Sequence, residues 1–335
     1  MITLWFNQCF STIYYTIQQY KNMYGNRIKI IGTSSNPEHV FKVACDEFYV
    51  EPSDYGKEWA LNFCAEHKVD IFFVKKNRIK LSKYKEEFER AGVKIVTDDY
   101  VTHKLFDSKA EAYNEMNMRC KNLNIPKFKV AKTVSEFKAL VNNPWTENKL
   151  CYKLDSDEGG GSFRVINDKR KKHGMESAPT FAVTSKQAIE QAEQAEKNKE
   201  FKPIIVMELL SSPEISVDCY NSKQGFVCTT RKKQGGRLQR IESIKEIEDT
   251  CREIQEAFKF KFPWNIQFMS DPETGKPMIL EINTRLSGGS HLGILSNSWI
   301  GEYLIKDLLN EEYKLSKPKR ITVGKIEGHL VLQGE

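Results

Sequence analysis

Through the first hundred residues, short apolar runs suited to strands alternate with runs whose apolar positions recur every three or four residues. This alternation narrows the fold more than any other feature of the chain. Ile2 to Phe6 reads as a strand, Ser11 or Thr12 caps an amphipathic run to about Tyr24, and Arg27 to Gly32 reads as the next strand. Asn36 to Ala44 reads as helix, Phe48 to Val50 as strand, Tyr55 to His67 as helix and Val69 to Val74 as strand. Tyr84 to Ala91 as helix and Val93 to Val96 as strand complete the series. A helix between successive strands lets each strand return in the same direction, so a parallel sheet covered on both faces is expected over residues 1–103. The loop after the first strand, Asn7 to Ser11, then falls where such sheets bind ligands. It holds no glycine and so lacks the fingerprint of a dinucleotide site.

The remaining two thirds must form at least one further domain, and a chain of 335 residues has room for two or three. Its 51 basic and 45 acidic residues leave a net charge of +6, spread along the sequence rather than gathered into a basic arm. Nothing there calls for nucleic acid. The eight cysteines include no C-x-x-C pair and no matching histidine spacing, which reads as reduced thiols of a cytoplasmic protein. Met1 to Phe6 lacks the pattern of a signal peptide and no run reaches 18 apolar residues, so no membrane partner is expected.

Three stretches carry chemistry. Residues 149–166 read strand, glycine loop, strand, with Lys153 at the end of the first strand and Gly159, Gly160, Gly161 and Ser162 in the loop. Consecutive glycines leave backbone N–H groups able to close over phosphate oxygens, and Lys153 supplies a point charge beside them. A Walker loop does not fit, because no Gly-Lys-Ser/Thr follows and the next element is a strand. A calcium loop does not fit either, since Ile166 stands where the twelfth-position glutamate belongs. Pro203 to Tyr220 reads as two strands on either side of Ser211-Ser212-Pro213, and Glu208 or Glu214 could meet the amino or ribose groups of a nucleoside.

The third stretch runs from Asn265 to Gly289. Asn265 to Met269 and Met278 to Arg285 flank the turn residues Asp271 to Gly275, which predicts an antiparallel hairpin centred on Thr274 with Gln267 opposite Glu281. Alternate side chains share a face, so Glu281, Asn283 and Arg285 are expected to project together while Leu280 and Ile282 enter the core. One carboxylate and two amide oxygens suit Mg²⁺, which keeps positions for water and phosphate, and Arg285 suits the remaining anionic oxygens.

In order along the chain, the lysine near a helix start, the lysine and glycine loop, E-L-L with P-E-I-S-V-D, N-I-Q-F, and E-I-N-T-R with a glycine pair resemble the ATP-grasp superfamily. The resemblance is to the branch of the carbamoyl-phosphate synthase large subunit and biotin carboxylase. It implies an α/β domain over residues 1–103, a small lobe over 104–205, a large lobe over 206–318 and a tail over 319–335. It further implies that Lys109 and Lys153 bind the phosphates of ATP under the loop Gly159 to Ser162. Lys104 is a rival for the first lysine. Glu208 with the backbone of Leu209 and Leu210 would hold adenine, and Glu214 the ribose. Gln267, Glu281 and Asn283 would hold one or two Mg²⁺, while Arg285 would stabilise the transferring phosphoryl group and Arg231 would meet phosphate or substrate. The implied function is an ADP-forming ligase that activates a small carboxylate as an acyl-phosphate and joins it to an amine. A small-molecule kinase and a non-catalytic nucleotide binder are the alternatives, and a homodimer is expected from family habit. Threonine at 284 replaces the proline frequent in the family, and no biotin-accepting Met-Lys-Met is present.

Overall fold

The structure is a computed structural model that describes residues 1–7, 10–156, 160–169, 181–235 and 237–332. By its internal contacts the chain divides into two compact units. The first comprises Met1–Lys104, Ile215–Ile266 and Asn283–Glu335, the second Leu105–Glu214 and Gln267–Ile282. The units are therefore discontinuous, whereas the expected partition was four consecutive segments. The difference arises because the hairpin arm Gln267–Ile282 groups with residues 105–214 instead of with its own flanks.

The first unit opens with β1 (Ile2–Asn7), β2 (Ile28–Ser34), β3 (Glu47–Val50), β4 (Ile71–Phe73) and β5 (Lys94–Ile95), all parallel, in the order β3-β2-β1-β4-β5. Both faces are buried, which explains the unbroken apolar runs. Trp5, Ile31 and Phe72 pack on one face with Phe63 of the helix Lys57–Glu66. Leu4, Phe6, Ile30 and Ile71 pack on the other with Ile17 and Tyr20 of the helix Ile13–Tyr24. Trp5 stacks on Phe72 at 3.7 Å and Phe6 on Phe73 at 4.5 Å between ring centroids. The helix expected over Asn36–Ala44 is only a short 3₁₀ turn, Val40–Ala44. One turn suffices to bury Phe41 and Ala44. Phe41 lies so close over Gly32 that a Cβ there would stand 2.7 Å from its ring and 2.5 Å from Cys45 Sγ.

The second unit is built on β6 (Phe128–Ala131), β7 (Leu150–Leu154), β8 (Arg164–Ile166), β9 (Ala182–Val183) and β10 (Ile204–Glu208), in the order β6-β10-β7-β8-β9. Two helices cover its apolar face, Val134–Asn142 and Ser185–Lys197. Each starts with a capping box, Thr133 with Glu136 and Thr184 with Gln187, so their first N–H groups are satisfied locally. The second of these helices is mostly polar, yet turns Ala188 and Ala192 into the core.

The third sheet contains β11 (Ser211–Ser222), β12 (Gly225–Lys233), β13 (Leu238–Ile241), β14 (Trp264–Ser270), β15 (Pro277–Asn283) and β16 (Ile321–Gly324), in the order β15-β14-β11-β12-β13-β16. Ser211-Ser212-Pro213 was expected to separate two strands. It is instead the start of β11, and the break falls one step earlier, at Leu209 and Leu210. The expected hairpin is present as β14 and β15. Asp271 N–H donates to the Lys276 carbonyl at 2.8 Å, and Asp271 Oδ1 accepts from Thr274 N–H at 2.7 Å to hold the turn. The expected alternation shifts along β15. Ile279 and Ile282 are buried but Leu280 is only half-buried, and the strand stops at Asn283, before Arg285.

Candidate functional site

In the second unit, β7 lies antiparallel to β10 with Lys153 opposite Ile205, so the lysine rises from the middle of a packed sheet. It is 5% exposed, and its Nζ stands 3.4 Å from Glu281 Oε2. An ammonium that is nearly desolvated needs a partner of opposite charge, and Glu281 provides one. The sequence reading had given these two residues separate roles, one toward phosphate and one toward metal; the structure brings them together.

The loop after β7 is anchored at both ends. Ser162 Oγ accepts the Leu154 N–H at 2.9 Å, drawing the far end of the loop back onto the strand. Gly160 has φ +71° with open space where a Cβ would stand, so backbone conformation and not crowding asks for glycine there. Gly161 is likewise open, and Gly159 lies outside the described residues. Asp155, the first position of the calcium loop that Ile166 rules out, is a hub. Its Oδ1 accepts the Ala110 N–H at 2.9 Å and its Oδ2 accepts the Ser108 hydroxyl, tying the strand end to the start of the helix Lys109–Arg119. Lys109 is the first residue of that helix, is buried, and directs its Nζ to the Asp155 carbonyl at 3.2 Å. A carboxylate at a helix N-terminus satisfies donors and complements the helix dipole. Lys104 belongs to the preceding helix, Tyr100–Asp107.

Glu208 ends β10, buried, with Oε1 accepting the Thr146 hydroxyl at 2.6 Å and lying 3.7 Å from Lys127 Nζ as an ion pair. The Leu209 N–H, expected to face adenine, donates to the Lys149 carbonyl at 2.7 Å. The β10 end thus pairs with the chain leading into β7. Leu210 is buried, and Glu214 is half-buried on β11. Gln267 on β14 and Glu281 on β15 are half-buried members of the second unit, and Asn283, half-buried, closes β15 in the first.

In the first unit, Arg231 was expected to meet phosphate or substrate. It is 3% exposed and pairs through NH2 with Asp218 Oδ2 at 2.9 Å and Ser216 Oγ at 2.9 Å, and it also donates to Ser287 Oγ. Asp218 in turn accepts the Ser287 N–H at 2.8 Å and Asn265 Nδ2 at 3.2 Å. The guanidinium therefore fixes the 287–289 turn from inside, and a Cβ on Gly289 would stand 2.2 Å from it. Arg285 is turned elsewhere: its Cζ lies 5.0 Å from the centroid of the Phe10 ring.

That arginine lines a cavity of about 140 Å³ in the first unit, at the ends of β1 and β4. Lys75 and Arg78, from the loop after β4, line it too. Neither had been singled out, because no local motif marks a cation that the topology alone carries to a site. Asn7 holds this loop: buried, it accepts the Lys75 N–H at Oδ1 (2.6 Å) and donates through Nδ2 to the Tyr55 hydroxyl (2.6 Å) and the Lys76 carbonyl (3.0 Å). His103, also missed, sits buried between Thr97 Oγ1 (2.7 Å) and Thr284 Oγ1 (2.6 Å), and both threonines line the cavity. Burial pushes its imidazole down to about 3, with the positive charge of Arg78 acting in the same direction. The ring is therefore neutral at pH 7 and can donate to only one threonine.

Residues 200–329 match the family model described as ATP-grasp in the biosynthetic pathway with Ter operon. No curated protein matches the sequence. Among solved structures, the biotin carboxylase domain dimer of Hydrogenobacter thermophilus 2-oxoglutarate carboxylase, in complex with MgADP, ADP and bicarbonate, superposes with a TM-score of 0.69 at 13% identity, over 94% of this chain and 71% of that one. Staphylococcus aureus N5-carboxyaminoimidazole synthetase complexed with ADP gives 0.69 at 13% identity, over 94% and 79%. Campylobacter jejuni biotin carboxylase in its β-γ-ATP complex gives 0.67 at 14% identity, over 93% and 72%. At such identities the likeness is one of fold.

Proposed function

Because this chain is an ATP-grasp protein by fold, we propose that it is an ATP- and Mg²⁺-dependent ligase that phosphorylates a small carboxylate and joins it to an amine. The observation that carries the reading is the buried approach of Lys153 to Glu281, 3.4 Å apart, next to a glycine-bearing loop. A cation and a carboxylate so placed suit a phosphate tail and the metal that accompanies it. The three similar structures are nucleotide complexes, which supports the same ligand.

In this reading Lys109 and Lys153 bind the phosphates, with Gly159 to Ser162 closing over them. Glu208 and the Leu209–Leu210 segment border the adenine, and Glu214 the ribose. Glu281, Gln267 and Asn283 would hold one or two Mg²⁺, an all-oxygen set of one carboxylate and two amides that leaves room for water and phosphate. The metal, when bound, supplies charge neutralisation for the transferring phosphoryl group. Arg285 would stabilise the transferring phosphoryl group.

The chemistry needs positioning and charge compensation rather than a protein nucleophile. A carboxylate oxygen attacks the γ-phosphorus and the bridging P–O bond breaks toward ADP. The amine then attacks the acyl carbon, and phosphate departs with the oxygen that the acid brought. An assay of ADP release with pooled carboxylic acids and amines tests the reading, with Glu281→Ala as the blank. ADP and phosphate formed only when acid and amine are both present is the expected result. AMP and pyrophosphate, or undiminished Mg²⁺-dependent turnover by Glu281→Ala, would sink it. The Hydrogenobacter biotin carboxylase domain is a dimer, and the proposal extends to a homodimer here, which light scattering checks.

A further inference from the structure

The strand order β3-β2-β1-β4-β5 reverses direction between β1 and β4, and in an open parallel sheet ligands bind beyond the strand ends at such a reversal. His291 lines the cavity at this point. Its Nδ1 lies 3.2 Å from the Gly288 carbonyl, an oxygen that only accepts, so Nδ1 of the neutral ring carries the hydrogen. Nε2 is then the bare nitrogen, and among the described residues it has no hydrogen-bond partner. We infer that the cavity receives the attacking amine and that His291 Nε2 takes its proton. The tautomer follows from geometry; the reaction that it serves rests on the ligase reading.

Two contacts hold the ring in one orientation. It stacks on Tyr15 of the helix Ile13–Tyr24, with 4.8 Å between centroids and 14° between planes. The Gly288 carbonyl also accepts the Thr12 hydroxyl at 2.7 Å, so the oxygen that sets the tautomer is itself anchored to the start of that helix. A base positioned before its substrate arrives gives up little freedom in the reaction. Burial pushes the imidazole below its ordinary value; the Gly288 hydrogen bond and Asp218 act upward and Arg231 downward. The ring is therefore neutral at pH 7, the state that a base requires.

The rest of the cavity supports the assignment. Among the described residues no aspartate or glutamate lines it, and His103 has both ring nitrogens occupied, by Thr97 and Thr284. Trp299 lines it too, 3% exposed, and its indole N–H has no hydrogen-bond partner. The cavity thus offers one unpaired donor and one unpaired acceptor, and an acyl carbonyl with an attacking amine supplies the complement of both. Arg285, which the ligase reading assigns to the phosphoryl group, lines the same cavity, so the acyl carbon that bears this group comes to its wall. There the amine lone pair forms the C–N bond, the C–O bond to phosphate breaks, and phosphate leaves with that electron pair. The nitrogen, positive after attack, gives one proton to Nε2, and the imidazolium passes it to the departing phosphate.

Steady-state ADP release by the full chain, wild type and His291→Asn, tests the inference with pooled carboxylic acids, MgATP and either pooled amines or hydroxylamine. Asparagine keeps an N–H for the Gly288 carbonyl but has no basic nitrogen. Hydroxylamine is a strong nucleophile of low basicity and captures acyl-phosphates without a base. His291→Asn should lower ADP release with pooled amines by about 100-fold or more, yet stay within about threefold of wild type with hydroxylamine. In ¹⁵N-labelled wild type at pH 7, two-bond ¹H–¹⁵N spectra should show His291 with a bare Nε2. A protonated Nε2 overturns the assignment without any turnover or variant. Wild type that releases no ADP with any acid and amine removes the ligase reading, and the base's reaction with it. ADP release that His291→Asn leaves unchanged with amines, or loses equally with both nucleophiles, removes the base alone.

Discussion

Acidification should shift the stability contributions of two buried groups of the first unit in opposite directions, and separating them tests the neutral state assigned to His103 beside Thr284. Asp98 is almost wholly buried; its Oδ1 accepts the Lys261 N–H at 2.7 Å, while Oδ2 has no partner. Burial pushes its carboxyl up to about 6, against the lowering effect of the Lys261 hydrogen bond. A folded-state value above the unfolded one means that the native state binds the extra proton between about pH 6 and 4. Stability from Asp98 is therefore gained as pH falls through this window and lost as pH rises through it. His103, pushed down to about 3, does the reverse: the unfolded chain takes the proton first, so stability present above about pH 6.5 is lost as pH falls. At about 1.4 kcal/mol per unit of displacement, each contributes on the order of 2–3 kcal/mol between pH 7 and 4, with opposite sign. In the wild type the two nearly cancel. Urea unfolding at pH 7, 6, 5 and 4 should show Asp98→Asn losing about 2–3 kcal/mol relative to wild type on acidification, and His103→Gln gaining a similar amount. Parallel pH profiles for wild type and both variants would refute the reasoning.

Arg231→Met should destabilise the first unit by about 3–5 kcal/mol, because Asp218 would be left buried without its cation. Since the residue is assigned to holding the 287–289 turn, MgADP affinity by calorimetry should stay within about twofold, a change smaller than 1 kcal/mol. Gly32→Ala should cost about 1–3 kcal/mol by urea unfolding, as Phe41 and Cys45 must shift to admit a methyl group. Lys153→Met should weaken MgADP by about tenfold or more, measured in the same titration.

The hairpin was legible because its turn chemistry is local: Asp271, Thr274 and Gly275 hold one another within five residues. The parallel sheet was legible because its strands, buried on both faces, keep unbroken apolar runs. The cavity was not, since its cations and floor come from the ends of two strands and from residues 284–304, which only the sheet order brings together. β13 escaped notice because three of its four residues remain at least partly exposed and carry no apolar alternation. Arg231 was misread for a related reason. The family pattern implied a phosphate or substrate contact, yet the side chain pairs with Asp218, thirteen residues back on the adjoining strand. The bond between the Leu209 N–H and the Lys149 carbonyl likewise depends on strand pairing that a motif does not encode.

The central claim is that an oxygen of the acid is the nucleophile toward ATP. An acid that supports ADP release, labelled with ¹⁸O in its carboxylate, should deliver one ¹⁸O to the inorganic phosphate for each amide formed. Unlabelled phosphate in a turnover that still yields the amide, or label in AMP, would contradict it.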